Sequence, residues 1–104
     1  MPAPLDENQL RDALSERHCW EGHRETGIHC HRELPSFAAV MRLVAAVGEA
    51  AEEMDHHPDI DIRYNKVTFC LLTHSAGGVT ELDIALAEKI DSLVEAELAG
   101  ASKA

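Results

Sequence analysis

Basic residues are scarce in this sequence: 9 Lys and Arg stand against 19 Asp and Glu, a formal net charge of −10 over 104 residues. Such a balance repels phosphate backbones and anionic headgroups and forgoes the counterion release that drives nucleic-acid binding, so a direct nucleic-acid partner or a membrane surface is disfavoured. Aromatics are few, with one Trp, one Tyr and two Phe. No run of about 18 apolar residues occurs, as a membrane-spanning helix would need. The opening Met-Pro-Ala-Pro-Leu-Asp lacks the basic and then apolar pattern of a secretion signal. Three Cys, an odd number, read as reduced thiols of a soluble, cytoplasmic protein. No phosphate loop, dinucleotide fingerprint or nucleophile elbow is present.

What is there suffices for one core. Leu, Ile, Val and Phe number 24, enough for a single folded domain spanning 1–104. Leu5 to Arg17 reads as a helix, with Asp6 as cap, Gln9 completing a capping box and Leu10 and Leu14 facing inward. Trp20–Arg24 and Ile28–Leu34 read as two short strands. Ser36 can cap a long helix whose stripe is Phe37, Val40, Met41, Val44, Val47, Ala51 and Met54; Pro58 ends it near His56-His57. Asp59–Tyr64 and Val67–His74 follow as a hairpin turning on Asn65-Lys66. After Gly77-Gly78, Thr80 and Asp83 mark a last helix to about Leu98, lined by Leu82, Leu86, Ile90 and Leu93, and Gly100 to Ala104 reads as a frayed tail. The order αββαββα with short turns predicts a two-layer α+β domain: a four-stranded antiparallel sheet covered on one face by three helices. Its exposed edges predict a homodimer or homotetramer.

Seven His form two groups, His18, His23, His29 and His31 early and His56, His57 and His74 late. The early group, with Cys19 and Cys30, offers zinc-ligand types at poor spacing: no Cys-x-x-Cys or His-x-x-x-His pair occurs, and strand alternation separates Cys30 from His29 and His31. No metal is expected. A Cys nucleophile is weakly supported too, since Cys70 falls mid-strand, buried and inert, and no base is paired with Cys19 or Cys30.

The late group carries more. An Asn65-Lys66 turn sets Tyr64 opposite Val67, Ile62 opposite Phe69, Ile60 opposite Leu71 and His57 opposite His74, so that three imidazoles converge at one sheet end. Glu52, four residues before His56, lies over the same helical face and can hold one ring as a proton donor while an unpaired neighbour serves as base. Each residue also has an ordinary role: His56-His57-Pro58 as a helix stop, His74 as a strand end, Asp83 as the capping partner of Thr80, Tyr64 as a packed aromatic beside the turn and Trp20 as core.

Glu52, His56-His57-Pro58, Tyr64, His74 and Asp83 together resemble the pattern of the pterin-4a-carbinolamine dehydratase family. That pattern is an acidic residue, three residues, His-His-Pro, five or six residues, an aromatic, nine residues, His, eight or more residues, and Asp; the last three gaps here are five, nine and eight. Trp20, the Tyr64-Asn65-Lys66-Val67 turn and Thr73-His74 followed by Gly77-Gly78 extend the likeness over most of residues 10 to 95. The chain departs from the family in carrying His29-Cys30-His31-Arg32-Glu33-Leu34 where several Phe are usual, Ser36 where an acidic residue is common, and Ile60 where an aromatic often follows His-His-Pro. The resemblance implies dehydration of a 4a-hydroxytetrahydropterin to the quinonoid dihydropterin, with no metal or other cofactor, in the recycling that serves an aromatic amino-acid hydroxylase. It implies His56 and His74 as the acid–base pair, His57 as a pterin holder, Glu52 and Asp83 as orienting carboxylates, and Trp20, Pro58 and Tyr64 at the pocket. Two alternatives come with it: a non-catalytic oligomeric scaffold or transcriptional coactivator, as family members in animals assist a homeodomain transcription factor, and the same pocket acting on a molybdopterin-related pterin.

Overall fold

In the computed structural model, which describes residues 2–102, the chain forms α1 (Glu7–Leu14), β1 (Glu21–His23), β2 (Gly27–Glu33), α2 (Phe37–Met54), β3 (Asp59–Arg63), β4 (Lys66–Leu71), a 3-10 turn (His74–Ala76) and α3 (Glu81–Ser102). The strands make one antiparallel sheet in the order β1-β2-β4-β3. This is the expected α+β fold, and the differences from the sequence reading lie at element ends, in one register, in the buried stripe of α2 and in the cysteines. Met1, Lys103 and Ala104, at the ends of the expected domain and tail, lie outside the described residues; α3 itself runs through Gly100.

Capping chemistry sets the helix starts. Asp6 accepts from the Gln9 N–H at 2.8 Å while the Gln9 side chain accepts from the Asp6 N–H at 2.9 Å, so α1 begins at Glu7 and not at Leu5. Ser36 Oγ accepts from the Ala39 N–H at 3.0 Å and starts α2. The buried stripe of α2 is Ala39, Val40, Leu43, Val47, Ala50 and Ala51. It is rotated from the expected one, leaving Phe37 and Met41 exposed. These residues pack with Ile28, Cys30, Val67, Phe69 and Leu71 of the sheet and Leu86, Ala87, Ile90 and Val94 of α3.

The β3–β4 register differs from the expected one by two residues: Ile62 faces Val67, Ile60 faces Phe69, and Asp59 faces Cys70. The tight turn is Tyr64-Asn65, with Tyr64 at φ 55°. Asn65 is spent on β2, donating from Nδ2 to the Leu34 carbonyl at 3.1 Å and accepting from the Leu34 N–H at 2.8 Å. A shift of two leaves every side chain on its original face, which is why apolar alternation alone does not distinguish the registers. As β4 ends at Leu71, His74 is not a cross-strand partner of His57 and sits instead in the 3-10 turn.

The cysteines also correct the reading. Cys19 and Cys30 form a disulfide that ties the segment before β1 to β2, and Cys70 is exposed on the open face of the sheet, not buried. The pairing reflects hairpin geometry: β1 folds back on β2 and brings the Cα atoms of Cys19 and Cys30 to 5.1 Å. Among the described residues, no helix is long and apolar enough to cross a membrane, and no group of three or more His, Cys, Asp or Glu is arranged to hold a metal ion.

Candidate active site

The end of α2 decides where the late histidines go. Asp55 adopts a left-handed conformation at φ 49°, the His56 N–H donates to the Ala51 carbonyl at 3.0 Å and the Asp55 N–H donates to the Glu52 carbonyl at 3.2 Å. This is a Schellman termination, usually made by Gly and here by an Asp. It lifts His56 off the helical face that Glu52 occupies. Glu52 therefore pairs with His57, Oε2 to Nε2 at 2.9 Å, on the exposed surface. The expected Glu52–His56 pair does not form, because the i, i+4 relation requires His56 to be helical.

His56 instead turns in towards α3, where it is 8% exposed and its Nε2 lies 2.5 Å from Oδ1 of Asp83. Asp83 is fully buried. Its second oxygen accepts from the Thr73 hydroxyl at 2.8 Å and from the Thr80 N–H at 2.9 Å. Asp83 thus backs the helix cap, as its spacing from Thr80 predicts, and contacts an imidazole, as the family resemblance implies. Thr80 completes the cap with its hydroxyl oxygen, which accepts from the Leu82 N–H at 3.2 Å.

His57 and His74 line one cleft of about 100 Å³, together with Thr26, Asp59, Cys70, Leu71 and Leu72. The turn bearing His74 is positioned by the Thr73–Gly78 bridge and by the Val79 N–H, which donates to the Arg24 carbonyl at 2.8 Å. Gly78 permits this approach: a Cβ there would stand 2.9 Å from the Arg24 carbonyl oxygen. The cleft's far wall depends on Gly27 at φ 106°, where a Cβ would meet the Leu71 carbonyl oxygen at 2.7 Å. Partial desolvation against the cleft wall, with the carboxylates of Asp59 and Asp61 adding to it, pushes the thiol of the otherwise exposed Cys70 up, so it favours its neutral form.

The remaining candidates are distributed around this centre. Pro58 borders a second, shallow groove with Glu52, His57 and Ile60, so that His57 faces two recesses. Trp20 is core, its indole N–H donating to Asp91 at 2.9 Å, and it lines a neighbouring groove of about 770 Å³ that shares Thr26 with the histidine cleft. Tyr64 is 73% exposed at the hairpin tip. Five strand residues from Asp59, it lies about 17 Å along β3 from the cleft. The early His29 and His31 sit on the open sheet face, bound to Glu21 and Thr68 respectively. Sequence reasoning missed Thr73, Thr26 and Asp59; the one signal for Thr73 was a hydroxyl residue directly before His74.

The family model described as pterin 4 alpha carbinolamine dehydratase matches residues 3–93. A Mycobacterium tuberculosis protein, provisionally named a pterin-4-alpha-carbinolamine dehydratase, is 45% identical over 92 residues, covering 88% of this chain and 96% of that protein. A Mycobacterium sp. (strain KMS) protein of the same provisional name is 42% identical over 93 residues, covering 89% and 98%. The crystal structure of a transcriptional coactivator/pterin dehydratase from Brucella melitensis matches with a TM-score of 0.82 at 35% identity, over 86% of this chain and 97% of that one. A pterin dehydratase-like protein identified as a RuBisCO assembly factor in the alpha-carboxysome shares the fold, with a TM-score of 0.63 at 23% identity over 74% and 90%. With a matched family model over most of its length and relatives of this similarity, the chain belongs to the pterin 4 alpha carbinolamine dehydratase family.

Proposed function

We propose that this chain dehydrates a 4a-hydroxytetrahydropterin to the quinonoid dihydropterin by histidine acid–base catalysis. The C4a–O bond breaks as a proton is delivered to the leaving oxygen, the N5 proton is taken by a base, and the N5 electron pair forms the C4a=N5 bond, releasing water. His74 on the cleft donates to the leaving hydroxyl, His56 on Asp83 accepts the N5 proton, and His57, held by Glu52, contacts the pterin. The supporting observation is the His56–Asp83 pair one residue from His57, which shares its cleft with His74. A base whose far nitrogen is held by a buried carboxylate keeps its orientation through proton transfer. None of these steps draws on a cofactor.

Tetrahydropterin recycling beside an aromatic amino-acid hydroxylase is the setting this chemistry suits. A cytoplasmic location goes with that setting; the Cys19–Cys30 bond is the feature that opposes it, since a reducing cytosol opens such bonds. Self-association belongs to the same proposal, supported by the outer strands β1 and β3 and by the outward Phe37 and Met41.

The test is the absorbance change on mixing the protein with chemically generated 4a-hydroxytetrahydropterin. Wild type accelerates the reaction, and His56→Ala and His74→Ala each lose about 10²- to 10⁴-fold. Full rates in both variants would overturn the assignment. The scaffold reading is favoured by the name of the Brucella melitensis relative, which couples coactivator to dehydratase; a wild-type protein without turnover on any pterin would select it.

A further inference from the structure

We propose that Thr73 is a positioning residue: its hydroxyl, set by Thr80, aims the Asp83 carboxylate and thereby fixes which nitrogen of His56 carries the proton. Thr73 and Thr80 are both buried, at 4% and 0% exposure, and their hydroxyl oxygens are 2.7 Å apart. A hydroxyl has one proton to give. Thr73 spends its proton on Asp83 Oδ2 at 2.8 Å, so the proton between the two threonines is Thr80's. Thr80 in turn accepts from the Leu82 N–H at 3.2 Å at the first turn of α3. Donation therefore runs one way, from the helix amide through Thr80 and Thr73 into the carboxylate.

The far end of that chain is His56. With Oδ2 occupied by the Thr73 hydroxyl and the Thr80 N–H, Asp83 is left with Oδ1 directed at Nε2 of the imidazole. An ionised carboxylate only accepts, so Nε2 carries the hydrogen and the neutral ring keeps its lone pair on Nδ1. Removing the Thr73 hydroxyl leaves Oδ2 held by the Thr80 N–H alone, so the carboxylate turns more freely about its Cβ–Cγ bond and loosens its hold on both the ring orientation and the tautomer. Its consequence for turnover rests on the proposed dehydratase reading; its consequence for the ring does not.

The test pairs two readouts on the full chain, with Thr73→Val and Thr73→Ser beside wild type. Long-range ¹H–¹⁵N spectra of ¹⁵N-His protein report the tautomer of neutral His56, and the dehydratase assay reports kcat and KM. Wild type and Thr73→Ser should show the proton on Nε2. Thr73→Val should show both tautomers and a kcat lower by about 10-fold with KM unchanged, the scale of one hydrogen bond to a charged group. A Thr73→Val protein that keeps the pure Nε2 tautomer overturns the inference whatever its rate. A tautomer change without loss of kcat supports it and removes His56 from the proposed chemistry instead. Should Thr73→Val fail to fold, Thr73→Ala takes its place with the same two outcomes, and a wild-type proton on Nδ1 of neutral His56 overturns the inference in any case.

Discussion

His56 Nε2 and the Asp83 carboxylate lie 2.5 Å apart although 27 residues separate them in the chain. The contact joins the end of α2 to the start of α3, so one buried acid ties the fold to the candidate chemistry. Asp83→Asn replaces an acceptor by an amide that must direct its NH₂ either at His56 or at the Thr73 hydroxyl and Thr80 N–H. It is expected to lower kcat by about 10²-fold or more and to cost about 1–3 kcal/mol through mismatched buried donors. Single-turnover kinetics and urea unfolding check the two effects separately.

Under non-reducing conditions the folded protein should show one reactive thiol, that of Cys70, with Cys19 and Cys30 released only after reduction. The bond closes a short loop, and opening it should cost about 2–3 kcal/mol through the freedom regained by the unfolded chain. Thiol titration with Ellman's reagent and urea melts with and without reductant measure both.

Cys70 should alkylate slowly for an exposed thiol. Partial desolvation of the thiol, then Asp59 and Asp61, raise its pKa, so its thiolate appears only at higher pH than that of an ordinary Cys. The midpoint of the rise of the iodoacetamide rate with pH should move down in Asp59→Asn and Asp61→Asn, and the rate at pH 8 should rise.

Asp55→Gly should stabilise the protein by about 1 kcal/mol. Asp55 sits in the left-handed region at φ 49° at the carbonyl end of α2, so its Cβ and its negative charge are both unfavourable there. A higher midpoint in thermal or urea unfolding, with dehydratase rate retained, is the expected outcome.

Much of this was legible in the sequence because it depends on local chemistry. The capping pair Asp6 and Gln9, the Ser36 cap and the stop before Pro58 are short-range devices whose residues stand within three positions of one another. The expected strand pairing of His57 with His74 does not occur, yet both line one cleft, because β4 ends at Leu71 and the following turn carries His74 there. What was not legible depends on backbone geometry that residue types leave open. Nothing in the letters marks Asp55 as left-handed, and that single torsion moved the carboxylate partner of His56 from Glu52 to Asp83 and that of Glu52 from His56 to His57. The hairpin register was ambiguous by two residues for the reason that alternation repeats every two. The Cys19–Cys30 bond was missed although both strands were expected, because the odd Cys count read as reduced thiols and the approach of the two Cα atoms is set by the β1–β2 register, which the letters leave open.

The Schellman stop also makes the helix a counting device. Each residue turns an α-helix by about 100° and advances it about 1.5 Å, so gaining or losing one residue between the Ser36 cap and Asp55 would rotate His56 out of register with Asp83 while barely altering the hydrophobic content. Length variation among chains that keep this pair should therefore be confined to connections such as Arg24-Glu25-Thr26, and the span from Ser36 to His56 should vary only in its letters.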